Sequence, residues 1–101
     1  MNSSNHSEYG GMLFELLASI ESPEDMKKLL EDLCTYKEIE YMKQRVESAA
    51  LMLDGATYQQ INEAVENIST ATLSRVSRCI KHGSGGYSTV LANYLKERET
   101  K

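Results

Sequence analysis

Apolar residues recur along this chain at three- and four-residue spacing, and that period predicts helices from end to end. The first expected helix runs from about Tyr9 to Ile20, with Leu13, Leu16, Leu17 and Ile20 on one stripe. Ser22-Pro23-Glu24-Asp25 opens the second with a hydroxyl cap, a proline at the first helical position, and acids at the positive end of the dipole. That helix sets Met26, Leu29, Leu30 and Leu33 on one face. Thr35-Tyr36-Lys37-Glu38 reads as a capping box. The third helix it starts carries a long stripe of Ile39, Met42, Val46, Ala49, Ala50 and Leu53, and Gly55 closes it as a left-handed cap.

Thr57-Tyr58-Gln59-Gln60 is a second capping box, opening a short fourth helix with Ile61 and Val65 inward. Glu66-Asn67-Ile68-Ser69 is the expected turn: Asn67 tolerates left-handed backbone and Ser69 can cap a fifth helix. On that helix Leu73, Val76 and Ile80 fall within about 60° of arc, while Ala71, Arg75, Arg78 and His82 lie opposite. Gly83-Ser84-Gly85-Gly86 ends it in a flexible or sharply bent link. A last helix from about Tyr87 to Glu97 offers Val90, Leu91, Tyr94 and Leu95. Strand alternation and internal repeats are absent from the sequence. The expected fold is all-α with six helices: a flexible N-terminus over 1–8, a single helical domain over 9–97, and a tail over 98–101.

Charge sharpens the picture. The chain as a whole is acidic, with a net charge of −4. Residues 1–66 hold five Lys/Arg against thirteen Asp/Glu, net −8, whereas residues 67–101 hold six against two, net +4. The fifth helix carries Arg75, Arg78 and Lys81 with no acid. Two short helices joined by a tight turn over 57–82, the second basic on its outer face, predict a helix-turn-helix that reads DNA. The acidic remainder keeps the particle soluble and discourages docking by the wrong face.

In that arrangement the start of the second helix meets base edges, and the first helix and the flanks hold phosphates. Thr70, Ala71, Thr72 and Ser74 are the groove candidates, and the capping Ser69 is expected among the DNA-binding residues beside them. Ala71 and Thr72 suit a thymine methyl, and Arg75 or Arg78 suits guanine or a phosphate. Tyr58, Gln59, Gln60 and Lys81 are expected to position the backbone.

Other chemistry finds little footing. At 101 residues the chain has room for one domain, and its stability margin is thin unless a second subunit shares the core. No apolar run approaches the ~20 residues that span a bilayer, and MNSSNHSEYGG lacks a signal-peptide pattern, so a cytoplasmic protein with no membrane partner is expected. Cys34 and Cys79 show no C-x-x-C spacing and are expected to be reduced thiols; with only His6 and His82 beside them, no metal site and no cofactor are expected. No glycine-rich phosphate loop follows a strand, and the acids sit on helical faces, which argues against an enzyme.

The order of elements resembles the Trp repressor superfamily, in particular its Trp-repressor-like branch of small bacterial regulators. Leu33-Cys34-Thr35, Gln44-Arg45-Val46, Leu53-Asp54-Gly55, Ala71-Thr72-Leu73-Ser74-Arg75 and the GSGGY stretch from Gly83 to Tyr87 carry the likeness, which covers roughly Leu33 to Leu95. It implies an intertwined homodimer whose outer helices interleave into one core and whose paired reading heads meet double-stranded DNA. It further implies a transcriptional regulator, a repressor by steric occlusion, on a two-fold symmetric operator.

The same resemblance implies a candidate effector site. Thr35, Arg45 and Arg75 match positions that hold the amino acid in tryptophan-binding members, and Cys79 replaces a serine there. Val76 stands where those members carry a glycine, so tryptophan itself is not the expected effector. Two alternatives remain beside this reading. One is a helix-turn-helix turned into a protein-protein interaction module, and the other a repressor answering to an amino-acid-like effector.

Overall fold

The computed structural model describes residues 9–99. The flexible N-terminus expected over 1–8 and the last two residues of the expected tail lie outside them. Among the described residues all regular structure is helical: α1 (Met12–Ser19), α2 (Pro23–Leu33), α3 (Tyr36–Leu53), α4 (Tyr58–Ala64), α5 (Thr70–His82), a π-helical segment (Gly86–Leu91), and α6 (Ala92–Glu99). No described helix is long and apolar enough to cross a membrane. The chain divides into two compact units, one ending at Ile39 and one starting at Glu40, so the boundary falls inside α3.

In the first unit, α1 begins three residues later than the apolar pattern suggested. Gly11 takes the cap position without a side-chain hydrogen bond, and Tyr9–Gly11 form a turn that receives the Met12 N–H on the Tyr9 carbonyl at 3.1 Å. Two glycines in succession lose too much backbone freedom to join a helix. The start of α2 matches its sequence signals: Ser22 Oγ accepts the Asp25 N–H at 3.3 Å, and Pro23 stands at the first position. Cys34 ends α2 in extended backbone. At the start of α3 the Thr35 N–H donates to Glu38 Oε1 at 2.7 Å and the Glu38 N–H donates to Thr35 Oγ1 at 3.1 Å, a complete capping box.

The second unit contains the core. Gly55 adopts φ +89°, its N–H bonds the Met52 carbonyl, and the Ala56 N–H bonds the Leu51 carbonyl. Those two bonds make the Schellman closure that ends α3 and turns the chain into α4. Thr57 and Gln60 form the second reciprocal capping box, at 3.2 and 2.8 Å. Ile61, Val65, Ile68 and Leu73 then pack into one buried cluster, flanked by Leu51, Met52 and Ala56 from the end of α3 and the turn after it. Val76 and Ala49 are also buried. Ser48, fully buried, satisfies its hydroxyl on the Gln44 carbonyl at 2.6 Å.

After α5 the backbone passes so close to itself at Gly83 that a Cβ there would collide with the Cys79 carbonyl oxygen. The link does not stay loose. Gly85 turns in the left-handed region, and the next six residues wind as a π-helix that runs straight into α6, which continues to Glu99. A groove of about 410 Å³, lined by Ala50, Leu51, Asp54, Leu95, Arg98 and Glu99, opens beside the end of α3.

Candidate nucleic-acid interface

The candidate head is α4, the turn and α5. Its geometry follows from three local devices. Val65 ends α4 in extended backbone with its N–H on the Ile61 carbonyl at 2.8 Å. Asn67 takes φ +59°, a left-handed conformation its short polar side chain tolerates. Ser69 then caps α5 by accepting the Thr72 N–H at 3.1 Å.

Burial fixes which side of α5 faces out. Leu73 is 0% exposed and Val76 1%, and Ile80 is half-buried on the same side. Burying two such side chains is worth roughly 1.5–3 kcal/mol each, more than any competing rotation of the helix could recover. The opposite face is therefore held toward solvent. Thr70, Ala71, Ser74, Arg75, Arg78, Lys81 and His82 are all exposed. Lys81 and His82 lie in the last turn of the helix, where cations favour the negative dipole end. The first turn presents backbone N–H groups of the kind that receive phosphate.

Of the expected contacts, Tyr58, Gln59, Gln60, Ser69, Thr70, Ala71, Ser74, Arg75, Arg78 and Lys81 are exposed and Thr72 is half-buried. Three of them spend polar groups on the fold. Gln60 Oε1 accepts the Thr57 N–H, Ser69 Oγ serves the cap, and the Thr72 hydroxyl lies 2.9 Å from that of Ser69. Thr70, Ala71 and Ser74 at the tip, and Arg75 and Arg78 behind it, stay exposed.

The candidate effector residues divide between the two units. Thr35 belongs to the unit that ends at Ile39, with its hydroxyl and N–H both engaged with Glu38. Arg45, Arg75 and Cys79 belong to the second unit. Arg45 is half-buried, with its Nε shut away from solvent and without a hydrogen-bond partner. Cys79 is half-buried and Arg75 points outward into solvent. Among the described residues no three His, Cys, Asp or Glu side chains gather as metal ligands.

Sequence reasoning missed two residues that build the head. Ile68, within the expected turn, is only 8% exposed and shares the core with Leu73. Its position just before the Ser69 cap, with Leu73 at the fourth helical position, is a hydrophobic staple that the spacing could have revealed. The second is Gln44, whose side-chain amide donates to the Glu66 carbonyl at 3.1 Å, across from α3 to the turn.

Comparison with known proteins agrees with this geometry. The family model described as Trp repressor protein matches residues 10–95, so the likeness reaches back through α2 and α1. The uncharacterized protein YerC of Bacillus subtilis (strain 168) is 40% identical over 88 residues, covering 87% of this chain and 83% of that protein. A crystal structure from Staphylococcus aureus, provisionally described as a Trp repressor, superimposes with a TM-score of 0.76 at 31% identity, covering 92% of this chain and 88% of the other.

Proposed function

This chain belongs to the Trp repressor family, and on that basis we propose that it is a cytoplasmic, sequence-specific DNA-binding transcriptional regulator. It works as a homodimer and represses by occluding a two-fold symmetric operator. The observation that carries the reading is the outward face of α5: exposed Arg75, Arg78 and Lys81, no acid in thirteen residues, and an underside pinned by Leu73 and Val76. A rigid helix bearing cations on one face and small side chains at its first turn fits the major groove in width and chemistry.

The dimer rests on a second observation. A single copy leaves Tyr9, Met12, Leu13, Phe14, Leu16, Leu33, Tyr36 and Val90 exposed, more large apolar side chains than its buried core contains. A second copy is the occupant that would cover them, and it supplies the second reading head. Two heads one helical turn apart, ~34 Å, call for inverted half-sites at that spacing.

Tryptophan is not the effector in this reading. Val76 is buried in the core, at the position where the resemblance places a glycine in tryptophan-binding members. Arg75 is then available to DNA. The test is selection of bound duplexes from a random pool, followed by titration at several salt concentrations. Enrichment of an inverted repeat, with affinity falling linearly in log salt, supports the reading. Absence of any enriched sequence overturns it.

A further inference from the structure

Among the side-chain hydrogen bonds described above, most close a cap or a single helical turn. Gln44 Nε2 to the Glu66 carbonyl spans 22 positions of sequence, and it joins α3 to the turn between the two helices of the head. We propose that Gln44 is a positioning residue for DNA binding: it fixes the angle at which α5 leaves α3, and through that angle the half-site spacing the dimer accepts. The inference rests on the DNA-binding reading above.

Both ends of the tie are firm. The Gln44 backbone is locked where the fully buried Ser48 hydroxyl donates to its carbonyl at 2.6 Å. Glu66 follows the cap residue Val65, where helix-end carbonyls lack partners within the helix and take them from side chains. The next residue, Asn67, makes the left-handed turn, and Ile68 and Ser69 carry the staple and the cap of α5. Holding Glu66 thus holds the hinge of the head. The caps and the staple shape each helix locally, and the apolar core sets which face of α5 turns outward; the hydrogen bond adds a directional tie between α3 and the turn.

The experiment compares the unaltered protein with Gln44→Glu and Gln44→Lys on duplexes selected by the unaltered protein, with the half-sites at the selected spacing and moved apart by one base pair. Glu has the same shape but no donor at neutral pH; Lys restores a donor of similar reach. The readout is the ratio of affinities for the two spacings, in which the change of net charge cancels. We expect Gln44→Glu to lose about 3- to 10-fold in affinity at the selected spacing, the worth of one hydrogen bond. Its spacing ratio moves toward one, while Gln44→Lys keeps the original ratio.

A merely structural role would lower the melting temperature without moving the ratio, and that result overturns the proposal. An unchanged ratio in Gln44→Glu, or a ratio that Gln44→Lys fails to restore, also overturns it while leaving the DNA reading intact. If the unaltered protein selects no DNA, the functional reading falls and takes this role with it.

Discussion

The hydroxyl oxygens of Ser69 and Thr72 lie 2.9 Å apart, and the Thr72 N–H donates to the same Ser69 oxygen at 3.1 Å. Residue 69 thus holds residue 72 by both backbone and side chain, at the tip of α5. Ser69→Ala removes both bonds and should cost about 1 kcal/mol of stability, lowering the melting temperature by roughly 4–8 °C for a domain of this size. Thr72→Val keeps the backbone bond and should cost distinctly less. Calorimetry that finds the two substitutions equal would show that the cap is not what orders the tip.

The proposed DNA contacts predict different effects for the outward cations. Arg75→Ala combined with Arg78→Ala should leave the unfolding free energy within ~0.5 kcal/mol of the unaltered protein, since both side chains are exposed. Binding to selected DNA should weaken by at least 10-fold, because each bidentate arginine contact is worth about 1–3 kcal/mol. Lys81→Ala should weaken all sequences alike and reduce the salt slope by about 1. Unchanged affinity in the double variant refutes the assignment of the α5 face.

Ile68 offers a sharper test of how the head is built. It packs with Leu73 under the turn, so Ile68→Ala should cost about 2–5 kcal/mol, enough to threaten the whole unit. Loss below ~0.5 kcal/mol by denaturant titration would mean the staple contributes nothing.

Ile68 also marks the limit of what a single sequence reveals. The caps were readable because each is local: Ser22, Thr35, Thr57, Ser69 and Gly55 all end or begin helices where their chemistry predicted. The inward face of α5 was readable because three apolar residues share one period. Ile68 has no such period to mark it; its one signal is the staple spacing to Leu73 across the Ser69 cap. The π-helical winding of Gly86–Leu91 and the late start of α1 depend on glycine backbone freedom, which fixes no single conformation. The tie between Gln44 and Glu66 depends on the packing of three elements, and no local pattern encodes it.

The start of α3 should respond to acid. The Thr35 backbone N–H, and after it the Thr35 hydroxyl, hold the Glu38 carboxyl below the ordinary glutamate value. A carboxyl whose folded pKa is depressed stabilises the fold above its unfolded pKa, and the benefit disappears as the pH falls through the folded value. Glu38→Gln keeps an acceptor without a titrating proton. The Thr35 amide should therefore lose protection from hydrogen exchange below the usual glutamate range near ~4.3 in the unaltered chain, and not in Glu38→Gln. Identical acid profiles for both proteins would dismiss the capping box as the cause.

Phe14 separates a monomer from a dimer. Its side chain is 72% exposed in one copy, and α1 buries none of its residues. For a lone subunit, Phe14→Ser should then change stability by no more than ~0.5 kcal/mol, as surface substitutions do. If a second copy covers α1, the same change removes a large aromatic from a shared core, at a cost of about 3–5 kcal/mol per chain. Because association and folding are then linked, the melting temperature of the unaltered protein should also rise with concentration. Sedimentation at micromolar concentration should show the unaltered chain at twice its monomer mass and Phe14→Ser shifted toward the monomer. A single mass for both proteins at the monomer value would remove the paired heads, and with them the inverted repeat; the cationic face of α5 would then have to find DNA one half-site at a time.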